Sequence, residues 1–241
     1  MKTGLFEINE NVLIAPDVYR MTLCGDVSEI TAPGQFVNIK LEGKFLRRPI
    51  SVYDCGEDNV RIIYKVVGSG TRQMSCAEPG ELLDVMTGLG NGYNLDKCGK
   101  KPLLIGGGVG VPPMYYLCKK IIETGAEPTV IMGFNTESEI FCLDEFSALC
   151  RTVVATADGS FGTKGFVTDA MDGMDYTHYC ACGPEPMLRA VHAAAVTGGQ
   201  LSFEERMGCG FGACMGCSCK TKYGSKRICK DGPVLESEEV I

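Results

Sequence analysis

The sequence predicts a chain in three parts: an N-terminal antiparallel β-barrel or sandwich, an α/β nucleotide-binding domain on a parallel sheet, and a small C-terminal cysteine segment. Three observations carry this. Short apolar alternations, separated by turn residues, fill the first 98 residues. From Pro102 onward apolar strands alternate with helical stretches, the pattern of a parallel sheet covered by helices. Five of the 14 cysteines then crowd between Cys209 and Cys229, in a stretch too short and glycine-rich to hold a core unaided.

In the first region, strands are expected over Phe6–Ile14, Val18–Leu23 and Gln35–Leu41, with Val37, Ile39 and Leu41 on one face. Ala32-Pro33-Gly34 supplies the turn chemistry before the third of them. Val60–Val67 is β-branched and nearly continuous, as in a well-buried strand. Lys97-Cys98-Gly99-Lys100-Lys101 is a polar break, so the division expected is 1–98, 99–203 and 204–241. In the second region, strands are expected over Leu103–Ile105, Thr129–Phe134, Val153–Ala157 and His178–Cys182. Helices are expected over Pro113–Thr124 and Pro186–Val196. The acidic tail Glu236–Glu239 is expected to be solvated.

Composition removes several classes. The chain has 241 residues, a net charge of −7 and an acidic balance of 30 Asp+Glu against 23 Lys+Arg. It has no basic footprint for a phosphate backbone, so no nucleic-acid role is expected. No apolar run approaches the ~18 residues of a membrane span, and Glu7, Glu10 and Asp17 interrupt any signal-peptide core. A cytoplasmic protein with no membrane role is therefore expected. Only two histidines are present, His178 and His192, and neither adjoins a Ser or Cys motif, so a hydrolytic triad is not expected.

The strongest motif is Cys209-x4-Cys214-x2-Cys217-x11-Cys229. Plant-type [2Fe–2S] ligation takes three thiolates from one C-x4-C-x2-C loop and a fourth from farther along. Zinc is the competing reading, but structural zinc uses paired C-x2-C knuckles, and only Cys214/Cys217 forms one. Cys219 offers an alternative third or fourth ligand. Only Cys209, Cys214, Cys217 and Cys229 preserve the spacing.

Leu46-Arg47-Arg48-Pro49-Ile50-Ser51 reads either as an ordinary edge strand opened by proline or as a strand whose Arg meets a pyrophosphate bidentately. The second reading gains from Tyr64-Lys65-Val66-Val67-Gly68-Ser69-Gly70-Thr71, a buried strand ending in a small-residue turn. Gly70 and Thr71 there can admit a phosphate to backbone and hydroxyl donors. Leu104-Ile105-Gly106-Gly107-Gly108-Val109-Gly110-Val111 runs a strand through glycines into a helix, which places N–H groups at a dinucleotide phosphate. It departs from G-x-G-x-x-G at Val111. Cys180-Ala181-Cys182-Gly183-Pro184 and Asp158-Gly159-Ser160 are further loops after strands, where ligands of parallel sheets gather.

In this order, the motifs resemble those of the ferredoxin–NADP reductase superfamily, in which an FAD-binding barrel precedes an NAD(P) domain. With Glu204-Glu205-Arg206-Met207-Gly208-Cys209 and the Asp158 loop, the whole chain is similar to the electron-transfer subunits of type B dihydroorotate dehydrogenase. The resemblance implies a barrel, one FAD, one [2Fe–2S] cluster and NAD as substrate. It implies an FMN-containing catalytic partner in a heterotetramer, two of each subunit, acting in pyrimidine biosynthesis. It places Arg48, Pro49, Ile50, Ser51, Tyr64, Lys65, Val66, Gly70 and Thr71 at FAD, with Arg48 at the pyrophosphate and Ser51 near flavin N5. It places Gly107, Gly108, Cys182, Gly183 and Pro184 at the nicotinamide nucleotide. No acid or base for dihydroorotate is implied in this chain. Two alternatives stand beside it: a subunit of a ferredoxin–NADP or sulfur-reducing complex, and a zinc-stabilised nucleotide-binding regulator.

Overall fold

The computed structural model describes residues 1–241. Six strands close an antiparallel barrel in the order β1-β2-β5-β4-β3-β6. They are β1 (Lys2–Ala15), β2 (Val18–Cys24), β3 (Phe36–Ile39), β4 (Arg48–Cys55), β5 (Asn59–Lys65) and β6 (Leu82–Leu89), with α1 (Ser69–Ser75) after β5. The barrel follows from period-2 alternation: Phe6 and Ile8, Met21 and Leu23, Val37 and Ile39, and Val60 and Ile62 all point into one buried core. On β3 the alternate residue, Phe36, leaves that core and packs instead with the cysteine segment.

Two features of the barrel differ from expectation. Leu82–Leu89 shows no clear alternation, yet β6 pairs with both β1 and β3 and so closes the sheet. Ser69–Ser75 is a short helix rather than a turn, and it carries Gly70 and Thr71. Its start is held by the Thr71 hydroxyl, which accepts from Val67 N at 2.9 Å and Gly68 N at 3.2 Å. A hydroxyl that satisfies two otherwise orphaned donors stabilises a helix start that no apolar period announces.

The second domain comprises β7 (Pro102–Gly107), α2 (Pro112–Glu123), β8 (Thr129–Phe134), α3 (Leu143–Ser147), β9 (Arg151–Thr156), β10 (Thr163–Lys164), α4 (Val167–Met171), β11 (His178–Cys182), α5 (Glu185–Ala194) and β12 (Gly199–Ser202). Its strands are parallel and buried on both faces. Leu104, Val130 and Cys180 meet α2 residues such as Leu117, while Leu103, Ile131, Tyr179 and Ala181 meet α4 and α5 through Ala170 and Leu188. The two expected helices and four expected strands are present; Thr129–Phe134 and His178–Cys182 match end to end, and the other ends shift by one or two residues.

The tail forms β13 (Ser218–Thr221), β14 (Gly224–Arg227) and β15 (Val234–Glu236). The first two make a hairpin, and β15 adds antiparallel to β12 at the edge of the seven-stranded sheet. The tail acids are thus not simply solvated. Glu236 pairs with Lys97 at 3.0 Å and Glu239 with Lys226 at 2.7 Å. No helix is long and apolar enough to cross a membrane.

Barrel and sheet domains meet where α2 lies on β4. Tyr53 stacks on Tyr115 with ring centroids 4.6 Å apart. Asp54, 2% exposed, accepts from Lys119 of α2 at 2.7 Å and also pairs with Arg61 of β5. Asp54→Ala leaves two cations without their carboxylate. Both keep about a third of their surface in water, so the expected loss is about 1–2 kcal/mol, below that of a fully buried pair. Chemical denaturation checks this, and an unchanged midpoint would deny the pair any role at the junction.

Candidate functional site

A cleft of about 370 Å³ opens where barrel, sheet domain and tail converge. From the barrel, Arg48, Pro49, Ile50 and Ser51 of β4, Tyr64 and Lys65 of β5, and Thr71 of α1 line it. Val66 and Gly70 border it instead. Val66 N donates to Asp17 O at 2.8 Å. Gly70 lies directly beneath the Arg48 guanidinium, which occupies the space a Cβ would fill. Arg48 bonds to the Leu46 and Arg47 carbonyls and has no direct carboxylate partner. An arginine without a direct ion-pair partner, in a cleft it shares with Lys65, Glu204 and Glu205, can take a bound anion such as a dinucleotide pyrophosphate. Burial pushes the Tyr64 phenol up, and its hydroxyl donates to Asn11 Oδ1 at 2.9 Å, so it stays neutral.

A second cleft, about 470 Å³, lies at the carboxyl ends of the parallel strands. Gly107, Gly108 and Pro184 line it, with Gly133, Phe134, Phe166 and Met187. Cys182 faces the first cleft and Gly183 joins the two, at φ +156°. Val109, in the same glycine loop, also lines the first cleft. The glycine loop and the Cys182–Pro184 turn therefore form the wall between the clefts. A Cβ on Gly110 would run into the Cys182 carbonyl, so the two loops touch only because residue 110 has no side chain. Gly110→Ala is expected to push them apart at about 1–3 kcal/mol, read as an increase of about tenfold or more in KM for the dinucleotide. Steady-state dye reduction tests it, and unchanged KM would show that the loop contact does not set nucleotide binding.

The cysteine loop packs on the barrel. Phe36, Leu89, Cys217, Ile228, Cys229 and Leu235 form one buried cluster. Within it the Cys217 and Cys229 sulfurs lie 3.2 Å apart, and Cys229 N donates to Cys217 Sγ at 3.4 Å. The other two thiols form a second pair. Cys209 Sγ accepts from Ala213 N at 3.2 Å and Cys214 N at 3.4 Å, and Cys214 Sγ accepts from Cys209 N and Gly216 N, each at 3.4 Å. Partial burial raises the Cys209 thiol, but these N–H groups outweigh it and hold it down to about 6. Burial and the neighbouring Cys217 sulfur push Cys229 up to about 12, a thiol that ionises only beside a cation.

No three His, Cys, Asp or Glu side chains converge on a single ion position. Two sulfur pairs with N–H donors aimed at them suit two iron ions, each held by two thiolates, better than one zinc held by four. Cys219 lies on β13, opposite Lys226, at the margin of the buried cluster, and its sulfur meets only its own backbone N–H. Burial and the charge of Glu205 raise its thiol.

Both histidines have structural places: His178 is buried against Gln200 Nε2 at 3.3 Å, and His192 Nδ1 meets the Tyr179 hydroxyl at 3.0 Å. Lining residues outside the motifs read from the sequence include Phe36, Ser202 and Phe203 in the first cleft and Asn135, Glu139 and Thr168 in the second. They come from separate elements with no shared local pattern, so only the tertiary fold assembles them.

A closed barrel, a parallel-sheet domain and a thiol-paired tail, opening on adjoining clefts, define a redox protein of the NAD-linked oxidoreductase class. Residues 104–193 match the oxidoreductase NAD-binding domain, and residues 204–241 match the iron–sulfur cluster binding domain of dihydroorotate dehydrogenase B. The chain is 45% identical over 256 residues to the dihydroorotate dehydrogenase B (NAD(+)) electron transfer subunit of Fusobacterium nucleatum subsp. nucleatum, covering 100% of this chain and 99% of that one. The subunit of the same name from a Geobacillus strain is 42% identical over 255 residues, with 100% and 99% covered. The chain belongs to the family of dihydroorotate dehydrogenase B electron transfer subunits. A solved structure of an NADH-dependent reduced ferredoxin–NADP oxidoreductase superposes with a TM-score of 0.91 at 34% identity, over 100% of this chain and 91% of that one.

Proposed function

We propose that this chain carries electrons between NAD and an FMN-containing dihydroorotate dehydrogenase subunit, through its own FAD and [2Fe–2S] cluster, in pyrimidine biosynthesis. Two copies of each subunit make the assembly, which works in the cytoplasm. Residues 1–98 form the FAD unit, 99–203 the NAD unit and 204–241 the cluster unit. Flavin supplies the exchange between hydride and single electrons, and the cluster carries one electron at a time. Arg48 neutralises the FAD pyrophosphate, with Pro49, Ile50, Ser51, Tyr64, Lys65, Val66, Gly70 and Thr71 completing that site. Gly107, Gly108, Cys182, Gly183 and Pro184 receive the nicotinamide nucleotide. Cys209, Cys214, Cys217 and Cys229 hold the cluster.

The observation that supports this reading most is Phe36. It lines the first cleft and packs in the same buried cluster as Cys217 and Cys229. One side chain thus lies between the first cleft and the Cys217–Cys229 pair, and the glycine loop forms the wall between the first cleft and the second. Adjoining clefts and a thiol pair in this order support a relay from nucleotide through flavin to cluster.

The test is an assay of orotate formation from dihydroorotate with NAD, with and without the FMN subunit. The isolated chain is expected to reduce artificial acceptors with NADH and to form no orotate; adding the FMN subunit is expected to restore orotate formation. Orotate from the chain alone would end the subunit reading. The likeness to a ferredoxin–NADP oxidoreductase structure favours one other reading, a subunit of a ferredoxin-linked complex. No gain from the FMN subunit, together with reduction of an added ferredoxin, would select it.

A further inference from the structure

Away from both clefts, two thiols stand within reach of one another. Cys118, fully buried on α2, has its sulfur 3.5 Å from that of Cys150, which precedes β9. A disulfide needs a sulfur separation of about 2.05 Å, a closure of roughly 1.5 Å that side-chain rotation on a non-helical residue can supply. Cys150 is half-buried and lines a surface hollow of about 820 Å³ with Lys101, Leu149 and Arg151. One thiol of the pair therefore meets solvent while the other waits behind it.

The other close pairs lack this arrangement. Cys98 and Cys180 lie 3.9 Å apart, but both are buried, so a reagent reaches neither. Cys217 and Cys229 belong to the cluster site. An accessible thiol backed by a buried one is the geometry of an attacking and a resolving cysteine.

We propose that Cys118 and Cys150 form a reversible disulfide by exchange with a small disulfide such as oxidised glutathione. Cys150 Sγ attacks one sulfur of the reagent, whose S–S bond breaks and releases one glutathione thiol. Cys118 Sγ then attacks Cys150 Sγ, breaking the mixed disulfide and releasing the second glutathione. Two protein thiols are oxidised, one disulfide is reduced to two thiols, and the two protein thiol protons end on the departing glutathiones.

The bond would tie α2 to the amino-terminal end of β9, whereas both clefts lie at the carboxyl ends of the strands. It should therefore leave nucleotide and flavin binding unchanged and resist unfolding, because cross-linking constrains the unfolded chain.

The experiment uses the FAD- and cluster-loaded chain, treated anaerobically with oxidised glutathione, quenched with N-ethylmaleimide, digested and read by mass spectrometry. The expected product is a Cys118–Cys150 peptide pair two hydrogens lighter than its components, lost on adding dithiothreitol. Two fewer alkylated thiols per chain, reduced Cys98 and Cys180, an unchanged cluster spectrum and a raised melting temperature should accompany it. Cys118→Ser should halt the reaction with glutathione on Cys150, and Cys150→Ser should abolish it, both with basal dye reduction intact. Full alkylation of Cys118 and Cys150 at oxidant levels that already bleach the cluster would overturn the proposal. So would a Cys150 bond to any other cysteine of the chain in place of Cys118.

Discussion

Cys217→Ser is expected to abolish the EPR signal of the reduced protein and to take iron far below about two atoms per chain, while Cys219→Ser leaves both intact. Spacing alone leaves the two residues as rivals, because Cys217-Ser218-Cys219 places thiols two positions apart. Their surroundings separate them. Cys217 is 1% exposed, lies in the apolar cluster with Phe36, and shares a sulfur contact and an N–H donor with Cys229. Hydrogen bonds to sulfur favour the thiolate that iron requires. Cys219 has only its own N–H as a donor, and burial together with the Glu205 carboxylate outweighs it and raises its thiol. Retained FAD in both variants separates loss of the cluster from loss of the fold. If Cys219→Ser loses the signal and Cys217→Ser keeps it, the pairing of Cys209 with Cys214 and Cys217 with Cys229 is wrong.

What was legible in the sequence is what is local. The cysteine spacing, the glycine loop before α2 and the alternation of strands with helices each lie within a few tens of consecutive residues. Period-2 patterning likewise places Val37 and Ile39 in the barrel core. The same pattern on β3 turns Phe36 outward, and nothing local says that a segment nearly two hundred residues later will cover it. β6 is invisible for a related reason. Its partners are β1 and β3, and those ladders, not its own propensity, hold Leu82–Leu89 extended. The helix of Gly70 and Thr71 is set by a side-chain hydroxyl instead of by an apolar stripe. The acidic tail reads as a solvated run until β15 joins the sheet and brings Glu236 to Lys97.

Arg48→Ala is expected to weaken FAD binding by about one to two decades while the cluster stays loaded. Removing a charge-assisted hydrogen bond to a phosphate costs roughly 1.5–3 kcal/mol, and about 1.4 kcal/mol is tenfold in affinity. Arg48 has no direct carboxylate partner to be freed by the loss, so the effect should be read in flavin affinity and not in a broken ion pair. Gly70 gives an independent arm of the same test. Its missing side chain is what lets the guanidinium lie over α1, so Gly70→Val should displace Arg48 and reproduce part of the loss with the arginine still present. Fluorescence titration of flavin-free protein with FAD measures both variants, and iron content shows whether the tail remains folded. Unchanged flavin affinity in Arg48→Ala would return Arg48 and its strand to an ordinary place in the barrel wall. A loss in Gly70→Val alone would move the pyrophosphate site from the guanidinium to the backbone of α1.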